Sequence, residues 1–298
     1  MRTSITPSKA PWQFEFAGRL TVEQQQYFEQ HGIIQFKGFI DRDTVELFLK
    51  EIRAVERHLL DKGLEKVNGI PLKFGRDTDG SPLIQRIAFA SQYSHTLSSF
   101  LQDPRLRALT ALLGSYRGRI GETEKDGLVI NHYVNTPASA FRRLGWHTDS
   151  PRDLFLGRRI QPMLNVGLHL DDCPFENGGL RVLTGTHRQG LFRLLFRKRY
   201  FVDNRPDPRE TGFDIAAGDL TVHDGRLWHR VQSSPLQGEP SRRRVMYIPI
   251  ITGDLQLKHA ASPTPFYHRL AQLRLNPSGR RTRLAALKEG PSQQQARA

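Results

Sequence analysis

The sequence predicts a mainly β domain, a sandwich or barrel, with helices flanking it on the N-terminal side. Three observations carry this. From Leu128 onward, short β-like runs alternate with Gly, Pro, Asn and Asp, the texture of a chain folded into many short strands. Before that point, apolar residues recur at helical spacing behind two capping signals. Finally, 298 residues at 38% hydrophobic content suffice for one substantial core, at a length usual for a single β sandwich or barrel.

The elements follow in order. Residues 1–18 read as an N-terminal arm, and M-R-T-S-I-T-P-S-K-A-P-W lacks the apolar run of a secretory signal. Thr21-x-x-Gln24 has the form of a capping box and opens a helix that Gly32 ends. Ile33 to Phe39 follows as a strand. Asp43-x-x-Glu46 reads as a second capping box, with Val45, Phe48, Leu49, Ile52, Val55 and Leu59 on one helical face and Gly63 as the stop. Asp103-Pro104 starts a third helix that Gly114 closes. The β runs are Leu128–Val134, Met163–Leu170, Gly179–Leu183, Asp219–His223 and Arg244–Ile250. The basic, aromatic stretch Leu191–Glu210 reads as an inserted loop or short helix lying over a site. One domain is expected over 19–275: a helical part 19–114, a β core over about 115–252 and a segment 253–275. Residues 276–298 read as a basic, flexible tail.

Charge and cysteine usage narrow the function classes. Lys and Arg number 44 against 30 Asp and Glu, a net +14 that favours anionic partners. No RNA-binding signature, zinc-finger spacing or clear helix-turn-helix accompanies that charge, so nucleic acid is not the expected partner. The single cysteine, Cys173, excludes an intramolecular disulfide and fits a reducing compartment. No run approaches the ~18 apolar residues of a membrane span. A soluble, cytoplasmic protein is expected.

The chemistry centres on G-W-H-T-D-S-P, residues 145–151. His147 and Asp149 are two apart, so on a strand end they point the same way. Two histidines and one carboxylate on adjacent positions make the facial set of a non-haem iron oxygenase, with positions left for a cosubstrate and oxygen. Candidates for the second histidine, His223 and His229, lie in G-D-L-T-V-H-D-G-R-L-W-H-R-V. Behind them S-R-R-R-V-M-Y-I offers arginines that can grip a dicarboxylate in two parallel hydrogen bonds. His, Asp, His, Arg in that order is far more specific than H-x-D alone.

These motifs, with L-T-V-E-Q-Q-Q-Y-F-E-Q-H-G-I-I-Q-F-K-G-F-I and Leu168–His187, resemble the phytanoyl-CoA dioxygenase family from about Leu20 to Ile250. The resemblance implies a double-stranded β-helix (jelly-roll, cupin-like) core and an Fe(II)- and 2-oxoglutarate-dependent dioxygenase. Such an enzyme would hydroxylate a small organic substrate and release succinate and CO2. It implies that His147, Asp149 and His229 take the metal, His229 being preferred over His223. Arg243 would hold 2-oxoglutarate, with Arg242 and Arg244 as neighbouring alternatives, and His132 or Asn131 would touch it from the strand Leu128–Val134. An aspartate at 149 implies hydroxylation rather than halogenation.

Departures from the family pattern are Val231 in place of a serine, which Ser233 or Ser234 could replace, Thr184 in place of proline, and Asn165 where some relatives carry tryptophan. Of the other candidates, His169 reads as a strand-end residue, His187 as a turn cap, Trp146 and Trp228 as core, and Gly178-Gly179 as a tight turn. Arg193–Arg199, with Arg142, Arg143, Arg158 and Arg159, would steer an anionic substrate. The rival readings are a non-catalytic jelly-roll metal or ligand binder and a basic nucleic-acid-binding protein.

Overall fold

Two different caps start the helical part of the computed structural model, which describes residues 8–9, 13–137, 139, 141–150 and 160–265. The Thr21–Gln24 box closes as expected: Gln24 N donates to Thr21 Oγ1 at 3.2 Å and Thr21 N to Gln24 Oε1 at 3.0 Å. Helix α1 (Val22–His31) then runs to Gly32, at φ 75°. The second helix, α2 (Arg42–Asp61), is capped by Asp41 rather than Asp43, with Thr44 N donating to Asp41 Oδ1 at 2.7 Å. Asp41 has the extended backbone a cap requires, whereas Asp43 already lies in the first turn.

The strands, in chain order, are β1 (Ile33–Phe36), β2 (Lys73–Arg76), β3 (Pro82–Ile87), β4 (Val129–Asn135), β5 (Leu144–His147), β6 (Met163–His169), β7 (Gly179–Val182), β8 (Leu220–Asp224), β9 (His229–Gln232) and β10 (Gly238–Ile251). Short helices α3 (His95–Phe100) and α4 (Pro104–Ala108) precede β4, and α5 (Leu191–Phe196) follows β7. The β2–β3 hairpin occupies a stretch read as helical from sequence. Its turn is D-T-D-G, with Gly80 at φ 83° and Asp77 N bonded to Ser81 O at 2.9 Å. That Asp-Gly pair was a turn signal in the sequence.

A large sheet has the order β1–β8–β6–β10–β4–β3–β2. A smaller one joins β7, β9 and β5 to two-residue strands at Ser8–Lys9 and Thr211–Gly212. From β4 to β10 the chain alternates between the sheets, apart from Thr211–Gly212, which follows β7 in the same sheet. This winding makes the core a double-stranded β-helix.

The large sheet has two unlike faces because strand side chains alternate. Ile34, Phe36, Ile130, Leu164, Val166, Val222, Met246 and Ile248 form one core with Val45, Phe48, Ile52, Val55 and Leu59 of α2. Each such buried side chain contributes about 1.5–3 kcal/mol. The other face is polar and turns toward the small sheet: Asn131, Tyr133, Asn165, His169, Thr221, His223, Arg243 and Tyr247 are in register across it. A polar face closed inside a sandwich is where chemistry is to be sought.

Candidate metal and cosubstrate site

The small sheet brings two histidines together. His147 ends β5, His229 opens β9, and the two are direct antiparallel partners. Their ring centroids are 4.1 Å apart. Asp149 lies in the turn after β5. Its N–H and that of Ser150 donate to Gly225 O at 2.8 and 2.9 Å. Gly225 is needed for this approach, since a Cβ there would meet Met163 Cγ at 2.4 Å. The Asp149 carboxylate then stands 3.9 Å from Nε2 of both His147 and His229. One ligand atom from each of the three residues falls within 4.8 Å of the others.

The hydrogen bonds fix which nitrogens face inward. His147 Nδ1 donates to Gly145 O at 2.8 Å, and His229 Nδ1 to Leu227 O at 3.0 Å. Both rings therefore direct an Nε2 lone pair toward Asp149, the tautomer a metal ligand needs. Burial lowers the His229 pKa well below 6.5, and repulsion from His147 and His223 adds to it. Burial alone would raise Asp149, but His229, His223 and His147 outweigh it and hold the carboxyl well below its usual range. A neutral imidazole beside an ionised carboxylate suits a divalent cation.

His223, the rejected alternative, belongs to the site in another role. It pairs across the large sheet with Asn165. Its Nε2 lies 3.3 Å from Asp149 Oδ2, and Asn165 Nδ2 donates to the same oxygen at 3.0 Å. Two donors thus hold Oδ2, while Oδ1 has no hydrogen-bond partner among the described residues. Sequence reasoning noted Asn165 only as a departure and missed this clamp. The one signal available was His223 itself, on an alternating strand.

The large sheet supplies the arginine. Arg242 pairs with Asp77 and Glu239, and Arg244 with both oxygens of Asp171. Arg243, on the opposite face from both, is 4% exposed and has no carboxylate partner among the described residues. Its Nη1 donates to Gln232 O at 2.8 Å and Nη2 only weakly to Arg142 O at 3.5 Å, while Nε is buried without a partner. The Nε–Nη2 edge is the one that grips a carboxylate in two parallel bonds.

Tyr133 is the cross-strand partner of Arg243 and stacks on Phe141 at 4.6 Å. Asn131, on the same face, donates to Tyr133 Oη at 3.2 Å and leaves its own Oδ1 buried and unpartnered. Tyr247 is a further residue of this face that the sequence reading did not name. Orphaned donors and acceptors at Arg243, Asn131 and His223 Nδ1 fit a polar occupant.

His132 does not join them. Strand alternation turns its ring to the helix side, against Arg242, and burial followed by Arg242 and Arg244 pushes its pKa to about 3. Val231, at the family's serine position, packs with Tyr133 and Phe141. Ser234 is tied to Asn177 and Leu236 N, so it does not replace that serine.

A model of the phytanoyl-CoA dioxygenase family matches residues 28–243, a span that includes both histidines, the aspartate and Arg243. The chain belongs to the phytanoyl-CoA dioxygenase family. It is accordingly a non-haem iron, 2-oxoglutarate-dependent oxygenase. Among solved structures it is similar to the carbocyclase SnoK of nogalamycin biosynthesis, at TM-score 0.59, 16% identity, and 87% and 93% of the two chains covered. The epimerase SnoN of the same biosynthesis matches at TM-score 0.56, 18% identity, and 80% and 85% coverage. HygX from Streptomyces hygroscopicus, solved with nickel and 2-oxoglutarate bound, matches at TM-score 0.55, 16% identity, and 80% and 97% coverage. No curated protein matches the sequence.

The rest of this oxygenase's candidates fall into place around that centre. Trp146 and Trp228 are fully buried and pack with Leu183, as core residues. His169 bonds Thr221 Oγ1 at 3.0 Å and lies outside the three-residue cluster. His187 sits in a turn against Gly32 and bonds Glu29 O at 3.0 Å. Gly178 and Gly179, at φ 86° and 85°, make the tight turn. The 191–210 stretch does lie over the site. Phe201 stacks on His147 at 4.8 Å, and Tyr200 Oη bonds Thr148 Oγ1 at 2.7 Å. Arg158 and Arg159 lie outside the described residues. No described helix is long and apolar enough to cross a membrane.

Proposed function

We propose that this oxygenase hydroxylates a small organic anion, converting 2-oxoglutarate to succinate and CO2. The observation that carries the reading is the meeting of His147, Asp149 and His229 within 4.8 Å, with both histidines' Nδ1 atoms tied to carbonyl groups. In this reading those three residues take Fe(II). The bound metal supplies oxygen activation. Arg243 holds the far carboxylate of 2-oxoglutarate on its Nε–Nη2 edge, and Asn131 and Tyr133 line the approach.

The chain's own part is geometry. Asp149 balances the charge of the cation and is kept from rotating by Asn165 and His223. Carbonyl groups hold the imidazole planes. The Phe201 ring covers His147 on one side and keeps water from it. An aspartate at 149 keeps the third protein ligand in place, which favours hydroxylation over halogenation. SnoN and SnoK are named as an epimerase and a carbocyclase, so the product mass has to separate hydroxylation from other oxidative outcomes.

The test is anaerobic. Fe(II) and 2-oxoglutarate are added to the protein, and the visible metal-to-cosubstrate band is read for wild type and His147→Ala; oxygen is then admitted and succinate counted. A band lost in His147→Ala, followed by succinate and a product heavier by one oxygen atom, is expected. A band without succinate under a screen of organic acids returns the reading to a ligand-binding protein. Absence of any band at full iron loading removes the triad.

A further inference from the structure

The outer face of α5 is used by nothing described above. Of the large apolar side chains exposed among the described residues, half lie between Leu191 and Val202: Leu191, Phe192, Phe196, Phe201 and Val202. Phe192 is 76% and Phe196 68% exposed, and their rings meet at 5.1 Å one helical turn apart. Leu194 points the other way and is buried. Scattered exposed apolar residues need no explanation, whereas a contiguous patch does.

The rim of this patch is cationic. Arg193, Arg197, Lys198 and Arg209 line the same surface depression as Phe192 and Phe196, and Arg188, Arg199 and Arg205, close by in the chain, are exposed as well. The segment holds three carboxylates: Asp207 pairs with Lys198 at 2.8 Å and also contacts Arg209, Glu210 pairs with Arg230 at 2.7 Å, and the half-buried Asp203 accepts from Arg205 N at 3.1 Å, so three carboxylates stand against five exposed arginines. Steering a soluble anion needs the arginines but not three exposed phenylalanine rings. An apolar protein groove needs the rings but not the arginines. Apolar rings that insert, surrounded by guanidinium groups on long stems, fit an anionic lipid surface.

We propose that the outer face of α5, with its basic rim, docks this oxygenase onto an anionic lipid surface. The segment is laced to the metal-bearing strand: Phe201 N donates to Trp146 O at 2.9 Å and Trp146 N to Asp203 O at 2.8 Å. A bilayer held there lies beside Phe201 and hence beside His147. The docked face would then back onto the segment that covers the metal-binding histidine.

The test is co-sedimentation of the full chain with sucrose-loaded vesicles, one set of phosphatidylcholine and one also containing phosphatidylglycerol. It needs neither iron nor cosubstrate, so its outcome is independent of the function proposed above. Wild type should partition onto the phosphatidylglycerol vesicles and not onto pure phosphatidylcholine. Because basic residues elsewhere also attract anionic lipid, the patch variants decide. Phe192→Ser/Phe196→Ser should lower partitioning about tenfold or more, as expected for withdrawing two buried rings. Arg193→Ser/Arg199→Ser should lower it by more than tenfold, at roughly fivefold per basic residue. Phe201 is left unchanged because it touches His147.

Wild-type partitioning that both variants retain, or none at all, overturns the proposal. A phenylalanine variant that binds vesicles normally but converts a wild-type dimer to monomer in sedimentation velocity overturns it in favour of self-association.

Discussion

Removing the Arg243 guanidinium should cost cosubstrate affinity and little else. Arg243 is 4% exposed; among the described residues it donates one good bond to Gln232 O and a weak one to Arg142 O, and its guanidinium also meets the Cys173 thiol and the Tyr133 ring. It has no carboxylate to orphan, so Arg243→Met leaves no unpaired buried anion behind. What is lost is the Nε–Nη2 edge. Hydrogen bonds to charged groups are worth about 1.5–3 kcal/mol each. Two of them at the lower end of that range come to about 3 kcal/mol, or roughly a hundredfold in the dissociation constant of 2-oxoglutarate. Arg243→Lys keeps the charge but not the fork, and should fall between.

The assay is anaerobic titration of 2-oxoglutarate into Fe(II)-loaded protein, followed by the visible band, with a thermal melt beside it. Arg244→Met serves as the contrast. Arg244 is committed to Asp171, so its loss should lower the melting temperature and spare cosubstrate affinity. A wild-type titration curve for Arg243→Met, with a weakened one for Arg244→Met, would refute the assignment and the strand alternation on which it rests.

Two further outcomes follow from the same geometry. His223→Leu removes one of the two donors on Asp149 Oδ2 and should weaken metal binding about 10- to 100-fold in chelator competition. His223→Gln, whose amide can still donate, should recover most of the loss; equal affinity in the leucine variant and wild type would disprove the clamp. His169 concerns stability rather than binding. Burial first, with His223 and Lys37 adding to it against the pull of Asp219, lowers its pKa to about 4. Between about pH 6.5 and pH 4 the unfolded chain therefore binds more protons at this residue, so its contribution is complete above about 6.5 and is lost as pH falls toward 4. At about 1.36 kcal/mol per pH unit this amounts to about 3 kcal/mol at most. Urea midpoints from pH 7.5 to 5 should fall less steeply in His169→Gln than in wild type, and parallel slopes would remove His169 as a source.

What the sequence disclosed depended on how local the physics was. The cap at Thr21, the apolar face of α2 and the strands around Asn131, Asn165 and His223 were legible because each is a matter of short-range spacing. The shift of the α2 cap from Asp43 to Asp41 turned on one residue's backbone angles, which no pattern of side chains prescribes. Strands β5 and β9, only four residues each, were too short and too mixed in composition to stand out, yet they carry both histidines. Spacing alone leaves His132 and Asn131 as alternatives, because strand limits do not fix register, and the structure puts Asn131 on the site's face. One residue's offset moves a ring from one face of β4 to the other. The Asp149 clamp was invisible for a different reason: Asn165 and His223 are paired only by the return of β8 against β6, a tertiary event.

The division of labour between the two sheets has a consequence for the site as a whole. The small sheet contributes His147 and His229, while the large sheet contributes Arg243, Asn131 and Tyr133. Metal and cosubstrate would thus be held by separate layers, and any slip between the layers would carry a chelating ligand away from the metal. The Asp149 carboxylate spans that gap. Its backbone is anchored to Gly225, in the connection from β8 to β9, its carboxylate faces both small-sheet histidines, and its Oδ2 is held by Asn165 and His223 of the large sheet. In that arrangement the side chain that completes the cluster would also set its distance from the arginine. Weakening the clamp should therefore impair metal and cosubstrate binding together, whereas loss of Arg243 impairs only the second. This asymmetry separates a clamp acting between the layers from a hydrogen bond that merely stabilises one residue.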